Sequence, residues 1–484
     1  MSGRPTAIVL AAGAGRRFGG GKLLAHLDGR PILQHVLDAL APAGIEDPVV
    51  VVGADADAME REIAWRAARR VRNPEPERGL SSSLQLGWAA AMTAEDPPGV
   101  VLIILGDQPR LDPHIVQCLL EQPRDPARPI VVARHADGAR NPVRLEPEAA
   151  RMVMEASGDR GLGPLIDARP EQVRHVVVGG SNPDIDARAD LVALLAEVWA
   201  RRVRDNAAQV ERIRETPDGH DFYATVSRTF VADPARADDP VLETLLAQAR
   251  PDETWLDIGA GAGRYALPIA RRVREVIAVD ASTSMLEALR VGMMTHGIAG
   301  VRTAEGRWPP DAGLRRALGP NPVADVALIA HVGYDVEAIV PFLDAMEAAA
   351  RRLCVAVVME ESPASVAAPF WPLVHDETRV PLPALPQLVE LLTARGAVPE
   401  VTRVTGERRR WSDRDELVGF LRRQLWTAPE SPADDRLLAA VDTVSETGAD
   451  GSVAVTGTRP LDIGIVSWST LDTTADSCVG GQGL

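Results

Sequence analysis

Cysteine is nearly missing from this chain of 484 residues: Cys118, Cys354 and Cys478 stand alone and far apart. That spacing leaves no disulfide framework and no CxxC pair for zinc or redox work. Long apolar runs are missing too. No stretch approaches the roughly 18 apolar residues that a bilayer span needs, so no membrane association is expected, although 46% of the residues are hydrophobic. Near the N-terminus the apolar run is about seven residues long and breaks at once into glycine and arginine, too short for a secretory signal. The expected compartment is the cytoplasm. Excess positive charge is absent as well: the net charge is −16, which repels a nucleic-acid backbone and leaves no field for non-specific binding to one. The local cluster GERRRW at 406–411 reads as a solvated turn. Small anionic ligands held by local donors remain open.

A chain of this length exceeds what one hydrophobic core organises. The pattern divides accordingly. TAIVLAA at 6–12, PVVVVG, GVVLIILGDQP, RPIVVARH and VRHVVVG read as apolar strands alternating with amphipathic helices, among them PILQHVLDALAPAG, ADAMEREIAWRAARR and SSSLQLGWAAAMTA. Such alternation means a parallel sheet covered on both faces. From 188 to 216 one long charged helix follows, ending at the turn signal PDGH. A second strand–glycine loop–helix series begins at ETWLDIGAG, passes through EVIAVDAS, ADVALIAHV and RRLCVAVVMEES, and closes with LDIGIVSWST. The expected class is α/β: two Rossmann-like three-layer domains in tandem. Their expected limits are 1–195 and 222–472, with a helical linker at 196–221 and a disordered tail at 473–484. No short internal repeat is present.

The first glycine loop, LAAGAGRRFGGGK at 10–22, follows an apolar strand and is rich in cations. It is not a Walker loop, because Arg16 stands where the first glycine belongs and Leu23 where Ser or Thr belongs. Nor is it a dinucleotide fingerprint, whose third glycine is replaced by Phe18. What remains is a strand-end loop whose backbone N–H groups converge on an anion, with Arg16, Arg17 and Lys22 adding charge. Asp107 ends another buried strand, in LGDQP, where a carboxylate can ligate Mg²⁺ beside the phosphates.

Read together, LAAGAGRRFGGGK, GLSSSL (79–84), GDQP (106–109), RNPV (140–143), GDRG (158–161) and DID (184–186) resemble the molybdenum cofactor nucleotidyltransferase family in content and order, over residues 6 to about 195. The resemblance implies a domain that joins a nucleoside monophosphate to a phosphorylated pterin and releases pyrophosphate. It places the nucleotide on the backbone of Leu10, Ala11, Ala12 and Gly13 and beside Ser82, the triphosphate on Arg17 and Lys22, and Mg²⁺ on Asp107 with Asp186 as second metal ligand. Ala12, giving LAAG rather than LAGG, implies CTP. Two features depart from the family. Gly19, Gly20 and Gly21 stand where relatives often carry a polar or acidic residue, at the expense of pre-organisation. DIDARADL lacks the threonine and proline that usually follow its Asp.

The second loop, LDIGAGAGR, has glycines at 259, 261 and 263, and Arg264 where a nicotinamide fingerprint needs glycine. Asp257 precedes them and Asp280 ends the next strand, a position suited to accepting both ribose hydroxyls. From 222 to about 470 the chain resembles class I S-adenosylmethionine-dependent methyltransferases. The resemblance implies that Gly259, Gly261 and Gly263 pack against the methionine part of S-adenosyl-L-methionine. Asp257 also belongs to the cofactor site; Asp280 binds ribose, Met285 lies beside adenine and Glu305 sits near the adenine amine. A sulfonium and a carboxylate replace the pyrophosphate, so this loop needs no lysine. His331 is the candidate catalytic residue, with Tyr334, Asp335 and the strand-end cluster MEES at 359–362 beside the acceptor. Methyl transfer needs mainly proximity, so a general base is not obligatory.

The reading is therefore bifunctional: Mg²⁺-dependent transfer of CMP from CTP to molybdopterin, molybdenum cofactor or a similar phosphorylated small molecule, plus methylation of an unidentified small molecule. Molybdoenzymes or their maturation factors are the protein partners this context implies. Two alternatives remain: a sugar-phosphate nucleotidyltransferase fused to a methyltransferase, or a methyltransferase carrying a non-catalytic nucleotide-binding module.

Overall fold

The computed structural model describes residues 3–215 and 230–470. The expected tail at 473–484, the end of the expected linker and the expected start of the second domain at 222 lie outside the described residues. The chain divides into two compact units, Met1–Ala193 and Leu194–Leu484, each built on a seven-stranded sheet. Among the described residues no helix is long and apolar enough to cross a membrane.

In the first unit the strands are β1 (Thr6–Ala11), β2 (Val49–Val52), β3 (Arg69–Arg72), β4 (Val101–Leu105), β5 (Ile130–Arg134), β6 (Val143–Leu145) and β7 (Val173–Val177). Their order is β3-β2-β1-β4-β6-β5-β7. β1 is buried along its whole length because it lies between β2 and β4, parallel to both, with Leu10 opposite Val51 and Leu105. Only an apolar strand tolerates that place, since helices cover both faces. β6 alone runs antiparallel to its neighbours β4 and β5.

One expectation changes here. ADAMEREIAWRAARR is not a single helix: the helix is Ala56–Glu62, and Arg69–Arg72 forms the edge strand β3. Arginines suit an edge, where alternate side chains reach water and Val71 packs inward on the core.

The second unit contains β8 (Thr254–Ile258), β9 (Glu275–Asp280), β10 (Val301–Glu305), β11 (Ala324–Ala330), β12 (Ala350–Met359), β13 (Glu400–Thr405) and β14 (Asp462–Ser469). The order is β10-β9-β8-β11-β12-β14-β13, with β14 antiparallel to both neighbours. Both units are thus Rossmann-like α/β sheets, and in each the strand order reverses beside its first strand. That reversal opens a crevice at the carboxyl ends of the strands.

The second unit also carries a cap. Segments after β12 and between β13 and β14 form helices Trp371–His375, Arg414–Leu425 and Pro432–Val444 and the hairpin of Ser445–Thr447 with Val453–Val455. They share a separate core containing Phe370, Trp371, Trp411, Leu421 and Leu437. GERRRW is an irregular segment whose Glu407, Arg409 and Arg410 are exposed, as expected of a solvated loop, but its last residue turns inward. Trp411 is buried, and the Arg409 guanidinium stacks 5.2 Å from its ring centre and 4.2 Å from that of Phe420, an arrangement open to a planar cation.

The long helix is Arg188–Ile213. The part read as a linker packs on the second unit from Leu194 onward: the Trp199 indole donates to the Val336 carbonyl at 2.8 Å, and Arg204 pairs with Glu337 at 2.6 Å.

Candidate functional site

At the first crevice the loop after β1 meets the loop after β4. The Gly106 amide donates to the Leu10 carbonyl, closing the two strand ends together. Leu10, Ala11 and Ala12 are buried. Beyond them the loop winds tightly, with the amides of Phe18, Gly19 and Gly20 all donating to the Gly15 carbonyl. Gly19, Gly20 and Gly21 have φ of 94°, 92° and 63°. Three consecutive left-handed residues explain the three consecutive glycines, and Phe18, buried under Arg188, anchors the loop.

This winding delivers Lys22 to two carboxylates. Its Nζ lies 2.5 Å from Asp107 Oδ2 and 3.7 Å from Asp186 Oδ1, while Arg17 reaches Asp186 at 3.2 Å. Lys22 is largely enclosed, with 11% of its side chain exposed, whereas Arg17 is 80% exposed. Asp107 and Asp186 are brought together because the Ile185 amide donates to the Asp107 carbonyl. Asp184 is an unanticipated member. Gln108 donates to its carboxylate at 2.7 Å, and burial together with the Asp107 charge raises its pKa.

Lys22 also carries a signal overlooked in the motif reading: it is the only lysine in the sequence, every other member of the 52 Lys and Arg being arginine. A compact ammonium fits between two carboxylates where a planar guanidinium fork does not.

Ser82 is placed differently from the ligand-facing role expected of it. Its hydroxyl is buried, accepts from Asn73 Nδ2 and donates to the Gly79 carbonyl. RNPV and GDRG do meet: a cavity of about 150 Å³ is lined by Leu10, Leu84, Leu105, Asn141 and, from the two strings, Arg140 and Arg160.

At the second crevice the glycine loop hangs on β9. The amides of Gly259 and Ala260 donate to the Val279 carbonyl, and the Gly261 amide donates to Asp280 Oδ2 at 2.8 Å. A Cβ on Gly259 would lie 2.4 Å from Val332 Cγ2, so close packing against the β11 loop requires glycine. Asp257 is buried, its Oδ1 has no hydrogen-bond partner, and burial followed by the Asp280 charge pushes its pKa up to about 7. Met285 is buried in the first turn of the helix Thr283–His296, and Glu305 is exposed, in register with Asp280. Arg264 is not a free cation; it pairs with Asp239 at 3.3 Å.

His331 follows β11 in a left-handed conformation, φ 58°. Burial, then the Arg264 charge, lowers its pKa to about 4, and its Nδ1 has no partner. At neutral pH this is an uncharged, weakly basic ring, suited to hydrogen bonding more than to proton abstraction. The Tyr334 hydroxyl accepts from the Met359 amide at 2.7 Å, and burial raises its pKa; Asp335 is exposed.

Comparison with known proteins separates the two units. The family model of the MobA-like NTP transferase domain matches residues 7–175, so the first unit carries a MobA-like NTP transferase domain. Bifunctional protein GlmU of Symbiobacterium thermophilum is 30% identical over 213 residues, 43% of this chain and 41% of that protein. A protein of Pyrococcus horikoshii named a probable molybdenum cofactor guanylyltransferase is 29% identical over 155 residues, 32% of this chain and 73% of that protein. The chain thus spans about two fifths of the first of these curated relatives. Among solved structures, a Bacillus halodurans C-125 protein described provisionally as a methyltransferase aligns over 49% of this chain and 98% of its own, at 11% identity and a TM-score of 0.35. Strand order, and not this superposition, carries the fold of the second unit.

Proposed function

We propose that the chain is a bifunctional transferase. Its first unit moves CMP from CTP to molybdenum cofactor or a similar phosphorylated small molecule, and its second methylates a small molecule with S-adenosyl-L-methionine. The observation that carries the first half is the Lys22 ammonium seated between Asp107 and Asp186 at the mouth of the glycine loop. Two carboxylates that converge on one cation supply the anionic oxygens that Mg²⁺ takes. Among the described residues no group of three or more His, Cys, Asp or Glu holds a metal unaided, and Mg²⁺ is ordinarily completed by substrate phosphates. Bound there, Mg²⁺ would neutralise triphosphate charge.

The chain's own residues do the remainder. Lys22 and Arg17 hold the phosphates, the backbone of Leu10–Gly13 borders the nucleotide, and Arg160 at the cavity holds the phosphate of the acceptor, with Arg140 beside it paired to Asp167. An acceptor phosphate oxygen attacks the α-phosphorus in line. The new P–O bond forms as the bond to the β-phosphate bridge breaks, and pyrophosphate leaves with the electron pair.

In the second unit the unpartnered Asp257 Oδ1 and His331 Nδ1 mark a crevice with polar capacity to spare. Asp257 at a pKa of about 7 gains ionised character when a cationic ligand approaches, and S-adenosyl-L-methionine, which would supply the electrophilic methyl group, is such a ligand. Asp280 fixes the glycine loop through Gly261 and stands where ribose hydroxyls would be accepted.

The test is to incubate full-length protein with Mg²⁺ and CTP, GTP or ATP labelled at the α-phosphate, offering molybdenum cofactor or a hexose 1-phosphate. Label joined to molybdenum cofactor from CTP, and lost in Asp107→Ala, is expected. Transfer from GTP overturns the nucleotide assignment, and transfer to the hexose phosphate alone favours the sugar-phosphate reading. No transfer with retained CTP binding leaves a binding module. Calorimetric titration with S-adenosyl-L-methionine tests the second unit independently.

A further inference from the structure

Within the second unit a cavity of about 230 Å³ is lined by Arg202, Glu360, Glu361, Ser362, Ser365 and Arg379, among others. It lies at the carboxyl end of β12, since Glu360 directly follows Met359. The parallel strands β8, β9 and β11 end on the same edge of the sheet, with the second glycine loop, Asp280 and His331. On the methyltransferase reading above, that is where an acceptor faces the methyl donor.

Arg379 is the unusual group. It is held in place from both sides. Gln209 donates to the Thr378 carbonyl at 2.9 Å and accepts from the Val380 amide at 2.8 Å, while Asn206 donates to the Val380 carbonyl at 2.6 Å. Both amides are buried on the helix Arg188–Ile213. The guanidinium rests 5.5 Å from the Trp371 ring centre and donates to the Ala364 carbonyl. Among the described residues no carboxylate pairs with it. Glu360 and Glu361 are engaged elsewhere, by Arg459 at 2.8 and 3.5 Å. Burial lowers the Arg379 pKa to about 10, which leaves it charged at neutral pH. Three buried or half-buried hydrogen bonds thus position a half-buried cation at a cavity wall, where no described carboxylate pairs with it.

We propose that this cavity binds an oxyanion of the methyl acceptor, a carboxylate or a phosphate, through Arg379. The planar fork of a guanidinium matches either group in a bidentate fashion. Its ring stacking and the Asn206–Gln209 clamp fix the fork before ligand arrives. Arg202 also lines the cavity.

The test is calorimetric titration of full-length protein with phenyl phosphate, benzoate and neutral benzyl alcohol. At least one anion is expected to bind and benzyl alcohol is not. Arg379→Met, which keeps a side chain against Trp371, is expected to weaken that anion by about tenfold or more, with the melting temperature checked in parallel. Lys22→Met distinguishes phenyl phosphate held in the first unit, because it leaves the Arg379-dependent component unchanged. Binding of phenyl phosphate alone assigns a phosphate, and of benzoate alone a carboxylate. Should Arg379→Met fail to fold, Arg379→Lys keeps the charge and loses the fork, and a several-fold loss is expected. Unchanged affinity for both anions in the folded variant, or no anion binding by the wild type, overturns the site. S-adenosyl-L-methionine is titrated into the same samples. If the donor fails to bind while the anion still depends on Arg379, the methyltransferase reading falls and the anion site stands. If the donor binds and the anions ignore Arg379, the reverse holds.

Discussion

The two glycine loops occupy the same station in their sheets, immediately after the first strand and beside the reversal of strand order, yet their surroundings differ in charge. At the first, an ammonium sits between two carboxylates. At the second, Asp257 lies close enough to Asp280 for one charge to raise the pKa of the other, and the neighbouring Arg264 is drawn to Asp239, which it shares with Arg236. The fold supplies a crevice and a row of amides in both units. Which ligand belongs there is decided by a few side chains around the crevice. A polyanion with its metal suits the first, and a ligand bearing positive charge suits the second.

The largest expected effect tests the cationic side of that contrast. Lys22→Met should lower nucleotidyl transfer by about a thousandfold, the scale seen when a preorganised charge is removed from a reaction centre. S-adenosyl-L-methionine affinity should not change. Arg17→Met, at a mostly exposed position, should cost far less. Because Lys22 is the only lysine, an amine-acylating reagent reads it directly by mass spectrometry, with only the chain's α-amino group as background. Mg²⁺ with CTP should protect Lys22; acylation at an undiminished rate would remove it from the nucleotide site.

The next effect belongs to the second crevice and concerns pH. Asp257 has a folded-state pKa raised from 3.8 to about 7, so folding favours its protonated form. Its contribution is fully present below the unfolded value and is lost as pH rises through about 7. Relative to Asp257→Asn, which stays neutral, the wild-type second unit should therefore lose a few kcal/mol of stability between about pH 4 and pH 7, and nothing further above that. Scanning calorimetry of both proteins across that range checks it. Parallel pH profiles would show that Asp257 ionises freely in the folded protein.

These contrasts were partly legible before any coordinates. Continuous apolar runs such as TAIVLA mark central parallel strands, and Asp107 and Asp280 stand where such runs give way to loops. The edge strands β3 and β13 were not legible, since RRVR and EVTRVT are largely exposed and lack the apolar signal. Nor was the cap. Gln209 and Asn206 bond to residues 169 to 174 positions away, and an amphipathic helix pattern does not say which partner its inner face will meet. Hence the helix from 196 onward read as part of a linker, and the Arg379 cavity that it helps to hold went unseen. Asp184 was visible within DID, but only its approach to Gln108 and Asp107 shows that it belongs with them.

A smaller effect separates ligand contact from loop architecture in the second unit. Asp280→Asn keeps an oxygen that can accept from Gly261 and removes the charge. It should weaken S-adenosyl-L-methionine by about tenfold while nucleotidyl transfer continues at its wild-type rate. A loss of both activities would mean that the variant disturbs folding instead of the cofactor site.

The finest comparison sets one glycine of each loop against the other. A Cβ on Gly13 would meet nothing within 4 Å, and Gly13 is not among the left-handed residues. A Cβ on Gly263 would lie 2.8 Å from Leu267 Cγ and 3.1 Å from Leu289 Cγ, with φ at +86°. Gly263→Ala should therefore destabilise the second unit by about 1 to 2 kcal/mol, whether or not a ligand is present. Gly13→Ala should leave stability within about 0.5 kcal/mol of wild type, or raise it slightly by restricting the unfolded chain. Its cost should appear only as a raised KM for the nucleotide, because the added methyl group enters space that the structure leaves open for a ligand. If KM also stays at its wild-type value, the nucleotide does not pass over Gly13. The first loop would then hold its ligand through Lys22 and Arg17 and not through the backbone that precedes them.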